Sequence, residues 1–207
     1  MEPRRDILRL ERFLERLAAD IYPEMPSNLH SEITIRALEK LEEFCPLREG
    51  KKVLDVGCGQ GPALEYFRSR RTDYLGVTLG EDDIIACRAK GYRVEKMDQS
   101  FLAVADGSQD LLWARHVIEH SVFPLFTLHE FNRVLCSGGV LYLEVPAPET
   151  SCHHECNPNH YSVLTKGSWR SLIERSGFRI LCDADYSFVV PAGPDVYWGF
   201  YCVKKAD

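Results

Sequence analysis

Three stretches of this sequence combine residue types and spacings that can do chemistry. The first is VLDVGCGQGP, residues 53–62: an apolar run holding the carboxylate Asp55, then Gly57, Gly59 and Gly61 at alternate positions. Glycine allows a sharp turn and lets a ligand approach the backbone closely. Pro62 suits the first turn of a helix, where its missing N–H costs nothing. That chemistry is the cradling of a ligand on a strand–turn–helix junction. The second stretch, RHVIEH, carries His116, Glu119 and His120 and can move protons. The third runs through residues 146–169, PAPETSCHHECNPNHYSVLTKGSW. Its His153, His154, His160 and Tyr161 offer hydrogen bonds and proton transfer near neutral pH. Cys152 and Cys156 in it have a spacing that zinc sites permit, but the second half of such a site is missing, so no metal is expected.

The elements that must position these groups follow from periodicity. Ile7, Leu10, Leu14, Leu17 and Ile21 form one face of an amphipathic helix, broken at Pro23 and Pro26. A second helix fits residues 29–44. Beyond it the pattern alternates. Strands read at 52–56, 74–79, 92–97, from 110, and at 140–145; helices read at 62–70, 81–90, 124–136 and 166–176, with Gly138-Gly139 ending the third. Strands 178–188 and 196–205 close the chain with no helix between them and must pair as a hairpin. Alternating strands and helices predict a mostly parallel, doubly wound α/β sheet covered on both faces. In such a sheet, ligands bind beyond the carboxyl ends of the strands where strand order reverses, so the turn 57–61 should lie under one.

Bulk properties narrow the classes. A chain of 207 residues with 45% apolar residues fits one domain with a sizeable core. The formal charge of −6 argues against a broad basic face for nucleic acid. No apolar run is long enough to span a bilayer. The start, MEPRRDILRLERFLERL, lacks the form of a secretory signal. The eight scattered cysteines then read as reduced thiols of a cytoplasmic protein.

Gly-x-Gly-x-Gly alone is a weak motif. Over residues 51–146 the chain resembles the class I S-adenosylmethionine-dependent methyltransferases of the small-molecule kind. VLDVGCGQG looks like their first motif, MDQSF (97–101) like their adenine-contacting segment, and GSQDLLWARHVIEH (107–120) like their fourth strand. FNRVLCSGGVLYLEVP (131–146) resembles their following helix-to-strand passage, and the closing hairpin their antiparallel seventh strand, inserted between the fifth and sixth. The resemblance implies a seven-stranded Rossmann-like core at 46–207 with helices 1–45 as a lid, in one domain. It implies S-adenosylmethionine as cofactor, S-adenosylhomocysteine as product, and a metabolite, sugar or lipid as acceptor.

By that resemblance Asp55 positions the methionine amino group, and Gly57, Gly59 and Gly61 run beneath the methionine and ribose. Asp98 accepts from adenine, bordered by Gln99, Ser100 and Phe101, with His116 nearby. The alternative for Asp55 and Asp98 is loop capping. The family's usual acidic residue at the end of the second strand is replaced by Thr78, followed by Leu79, as in the cyclopropane-synthase-like subgroup. Glu81 or Asp82 then helps with the ribose, or only complements the helix dipole. A base, where the acceptor needs one, comes from His160, Glu119 or His116. His160 has an equal alternative, pinning its loop to a backbone carbonyl. Three other classes stay open: an inactive cofactor-binding regulator, a nicotinamide oxidoreductase lacking its usual fingerprint, and a nucleic-acid or protein methylase lacking the Asn/Asp-Pro-Pro motif.

Overall fold

The computed structural model describes residues 5–18 and 28–206. Helix α1 (Arg5–Ala18) and helix α2 (Asn28–Leu41) precede the sheet. The end of the first expected helix, with Pro23 and Pro26, lies outside the described residues. Then come β1 (Lys52–Val56), α3 (Leu64–Ser69), β2 (Asp73–Thr78), α4 (Glu81–Ala89), β3 (Val94–Lys96) and β4 (Gln109–Arg115). The chain closes with α5 (Pro124–Val134), β5 (Leu135–Pro146), α6 (Lys166–Arg175), β6 (Phe178–Val190) and β7 (Gly193–Lys204).

The seven strands lie in the order β3-β2-β1-β4-β5-β7-β6. The first five are parallel, and β7 runs antiparallel to both β5 and β6. The apolar residues of each central strand divide between two cores. Val53, Leu111, Trp113 and Tyr142 face α2, α3 and α4, through Leu38, Phe67 and Ile84 among others. Leu54, Leu112, Leu141 and Phe200 face α5 and α6, through Phe131 and Trp169. Burial on both faces is what a parallel sheet demands of its strands. Trp113 stacks on Tyr142 at 4.1 Å, and Tyr142 packs on Tyr201 at 4.8 Å, carrying one core across three strands.

Strand β5 departs from its expected span of 140–145. It begins at Leu135, directly after α5. Gln109 pairs with Leu135 but Leu111 pairs with Val140, so β5 carries extra residues there. Gly138, at φ +71°, sits inside this irregularity rather than ending the helix.

Candidate active site

Strand order reverses between β1 and β4, and a cleft of about 530 Å³ opens beyond the carboxyl ends of the strands there. Its floor is the turn after β1. Its sides are Thr78–Asp83, Lys96–Phe101 and the end of β4. Leu14 and Leu17 of α1, with Ser31 and Thr34 of α2, also line it.

The three glycines of the turn serve different ends. Gly57 has φ +72°, and a Cβ there would come within 2.6 Å of the Val117 side chain. It therefore lets β1 pass the segment after β4. Gly61 is not part of the cleft lining, and a Cβ on it would meet the Tyr92 ring at 2.9 Å, so it serves packing. Gly59 lines the cleft, and a Cβ there meets nothing within 4 Å. Of the three it is the position with open space above the backbone.

Asp55 lines the cleft and is 2% exposed. Its Oδ2 is fully buried with no hydrogen-bond partner among the described residues. Burial pushes its carboxyl well above the usual range, with Arg115 pulling the other way. A buried oxygen without a partner, on a residue that lines the cleft, fits a site that receives an ammonium group. Gln99 presents a second buried oxygen, Oε1, without a partner among the described residues; its Nε2 donates to the Val117 carbonyl at 2.8 Å. Asp98 accepts from the Ser100 N–H at 2.7 Å, so it caps its own turn while lining the cleft. Thr78 accepts from the Gly80 N–H at 3.3 Å, and Leu79 also lines the cleft. Glu81 pairs with Lys96 at 2.5 Å and Asp82 stands exposed beside them; all three reach the cleft.

Below this end lies a buried charge network. Arg115 and Glu144 are register partners on β4 and β5, with Arg115 Nε 2.6 Å from Glu144 Oε1. Glu144 also receives the Tyr142 hydroxyl. His116 follows the end of β4 at φ +50°, a backbone region uncommon outside glycine. Its Nε2 is 3.1 Å from Glu144 and its Nδ1 3.3 Å from Glu119. Burial and Arg115 oppose a charge on His116, but the two carboxylates prevail and hold its pKa up at about 9. Burial likewise opposes the charge on Glu144, and Arg115 and His116 overcome it, bringing the pKa down to about 2. The cluster therefore contains two positive and two negative groups near neutral pH. A histidine held protonated in this way is badly placed to accept a proton at pH 7.

The far end of the cleft is lined by His120, Ser121, Val122, Phe123, Asn159 and Tyr161. The loop after β5 is tied down here: Ser162 donates its N–H to the Glu119 carbonyl at 2.9 Å and its hydroxyl to the Ser121 carbonyl at 2.6 Å. Of the expected bases, Glu119 is buried against His116 and is not part of the lining. His160 is not part of it either. Its Nδ1 donates to the His154 carbonyl at 3.0 Å, which is the loop-pinning contact, and its ring lies edge-on to His120 at 4.9 Å. His120 does line the cleft. Its Nδ1 lies 2.9 Å from the Asn159 carbonyl and donates its proton there, which leaves Nε2 as the ring nitrogen not used in that contact. Cys152 gathers with His154 and Asp195, while Cys156 stands exposed and outside that group.

An open α/β sheet with β7 inserted antiparallel, and a cleft over a glycine turn at the switch point, define the class I S-adenosylmethionine-dependent methyltransferase fold. The profile of the methyltransferase domain family matches residues 27–183, and the chain belongs to that family. It is similar to the 27-O-demethylrifamycin SV methyltransferase of Amycolatopsis mediterranei, at 29% identity over 130 residues, 56% of this chain and 48% of that one. The chloroplastic tocopherol O-methyltransferase of Arabidopsis thaliana is 28% identical over 142 residues, 60% of this chain and 38% of that one. The chain thus spans about half or less of the length of these curated relatives. In fold it matches a chain of the complex between the Haloferax volcanii Trm112 methyltransferase activator and a methyltransferase. The TM-score is 0.73 at 18% identity, over 85% of this chain and 92% of that one. No helix among the described residues is long and apolar enough to cross a membrane.

Proposed function

We propose that this chain transfers a methyl group from S-adenosylmethionine to a small-molecule acceptor. The observation that carries the reading is Asp55, a cleft-lining buried carboxyl with an unpartnered oxygen, at the head of a turn in which Gly59 alone of the three glycines has an open Cβ direction. When bound, the cofactor supplies a methyl group already activated on a sulfonium. The chain's part is to hold the acceptor in line with it and to exclude water.

Asp55 takes the amino group, Gly59 lets the backbone approach, Asp98 and Gln99 accept from the adenine, and Phe101 borders the ring. Glu81 and Asp82 stand in for the absent acidic residue at Thr78. At the acceptor end His120 takes a proton through Nε2 from an oxygen or nitrogen nucleophile, and His160 positions its ring. His116 and Glu119 hold charge rather than exchange it. Leu14 and Leu17 make α1 a cover over the cleft. Phe123 and Tyr161 are 43% and 41% exposed at the cleft, with Phe13 packed on Phe123. This aromatic rim favours an acceptor with an apolar part, in keeping with the relatives named for small molecules and not with a nucleic acid. The free cysteines accord with a cytoplasmic setting.

The test is release of S-adenosylhomocysteine across a panel of hydroxylated and phenolic small molecules. Turnover of at least one panel member, abolished in His120→Ala with cofactor affinity kept, is expected. Cofactor binding with no turnover of any member would favour the regulatory reading.

A further inference from the structure

We propose that Arg115 receives the carboxylate of the cofactor's amino-acid end, as one half of a clamp whose other half is Asp55. The inference rests on the S-adenosylmethionine reading above. Arg115 was not among the residues singled out from sequence. Asp55 pairs in register with Trp113 on β4, and Arg115 lies two residues further along that strand. Strand alternation puts Asp55, Trp113 and Arg115 on one face of the sheet. Glu144, the register partner of Arg115 on β5, stands on the same face and engages Nε at 2.6 Å. That contact is an ion pair without hydrogen-bond geometry at Nε, and it keeps the guanidinium beside Glu144. The Arg115 side chain is 10% exposed and lines the cleft, and its Nη2 is buried with no hydrogen-bond partner among the described residues.

One end of the cleft therefore presents two buried polar groups of opposite kind on adjacent strands, each with an atom, Asp55 Oδ2 and Arg115 Nη2, that has no hydrogen-bond partner among the described residues. A buried guanidinium N–H left unpaired is costly, and a carboxylate is its best geometric match. A ligand with only a carboxylate would leave Asp55 unmatched, and one with only an amine would leave Arg115 unmatched. A free α-amino acid end carries both charges on one carbon and satisfies both. The network behind it supports this assignment: Glu144 and Glu119 already balance Arg115 and His116, so the added zwitterion brings no net charge into the buried region.

The experiment is calorimetric titration with S-adenosylhomocysteine and with 5′-methylthioadenosine, which lacks the amino-acid end. Arg115→Met should weaken the first by about 10- to 100-fold, the worth of a charged hydrogen bond, and change the second by less than about 3-fold. Arg115→Lys keeps the charge beside Glu144 and should show a smaller loss, again confined to S-adenosylhomocysteine. An arm free of any folding effect uses the wild-type chain: the decarboxylated analogue, which retains the amine, should bind at least about 10-fold more weakly than S-adenosylhomocysteine. Equal losses for both ligands in the variants, or equal wild-type affinity for the decarboxylated analogue, would overturn the assignment. So would unchanged S-adenosylhomocysteine affinity with a raised KM for an acceptor, which would make the carboxylate the acceptor's. A wild-type chain that binds neither ligand would instead sink the cofactor reading itself.

Discussion

The two ends of the cleft are built differently. At the cofactor end the side chains come from strand ends in fixed register: Asp55 on β1, Arg115 on β4 and Glu144 on β5. Asp55 and Glu144 are buried and Arg115 nearly so, Arg115 and Glu144 are paired with each other, and moving one means moving the sheet. At the proposed acceptor end, His120, Asn159 and Tyr161 come from a short turn and a loop, and Leu14 and Leu17 of α1 also line the cleft. Large apolar side chains there remain exposed. A rigid, charge-matched end suits a ligand that never changes. An end made of loops and of residues from a helix outside the sheet can be refitted to a new acceptor without disturbing the sheet.

This difference is open to breakage. The largest effect should fall on chemistry without touching the cofactor. His120→Ala should lower methyl transfer by about 10²–10⁴-fold, as loss of a general base does. S-adenosylhomocysteine affinity should stay within about 3-fold, checked by calorimetry. Equal losses in both would mean that the two ends are not separable.

Next is a contrast within the glycine turn. Gly57→Ala forces a Cβ against Val117 at positive φ and should lower stability by about 2–4 kcal/mol in denaturant titrations. Gly59→Ala meets no protein atom, so only the backbone cost of about 1 kcal/mol applies, while cofactor affinity falls. If Gly59→Ala bound S-adenosylhomocysteine like wild type, the ligand path would lie elsewhere.

A pH effect on stability is expected from the charge network at the cofactor end. The His116 pKa is raised from 6.5 to about 9, so the folded state holds its proton more tightly than the unfolded chain. The stabilisation is complete below pH 6.5 and is lost as pH rises through about 9, on the order of 1–3 kcal/mol. Glu144 works in the opposite sense: its contribution is present above pH 4.5 and disappears as pH falls toward about 2. Urea titrations of wild type and His116→Leu between pH 6 and 9.5 should show the alkaline loss only in wild type.

The smallest effect is expected at α1. Removing residues 1–22 should raise the acceptor KM or the cofactor Kd by about 10-fold, the scale of a few lost apolar contacts, with little change in Tm. A large fall in Tm with unchanged binding would make α1 a structural brace instead.

The cofactor end was largely legible in the sequence because its signals are local. Asp55, the glycines and MDQSF announce themselves over a few residues each, and alternating strands and helices fix the sheet's winding. What was not legible depends on partners distant along the chain. Nothing local marks Arg115, whose meaning comes from Glu144 beside it on the next strand. His160 looked like an acceptor residue because the loop's composition is reactive. Its path is set by Ser162 bonding back to the turn after β4, which puts His160 behind His120. Gly138 and Gly139 looked like a helix stop because a strand irregularity uses the same residue type.

The most direct test of the central claim is calorimetry of S-adenosylhomocysteine with the wild-type chain and with Asp55→Asn. The account predicts one equivalent bound by wild type. It predicts affinity about 10- to 100-fold weaker in the variant, which keeps the shape but loses the charge offered to the ammonium group. No binding by wild type, or equal affinity in Asp55→Asn, would contradict it.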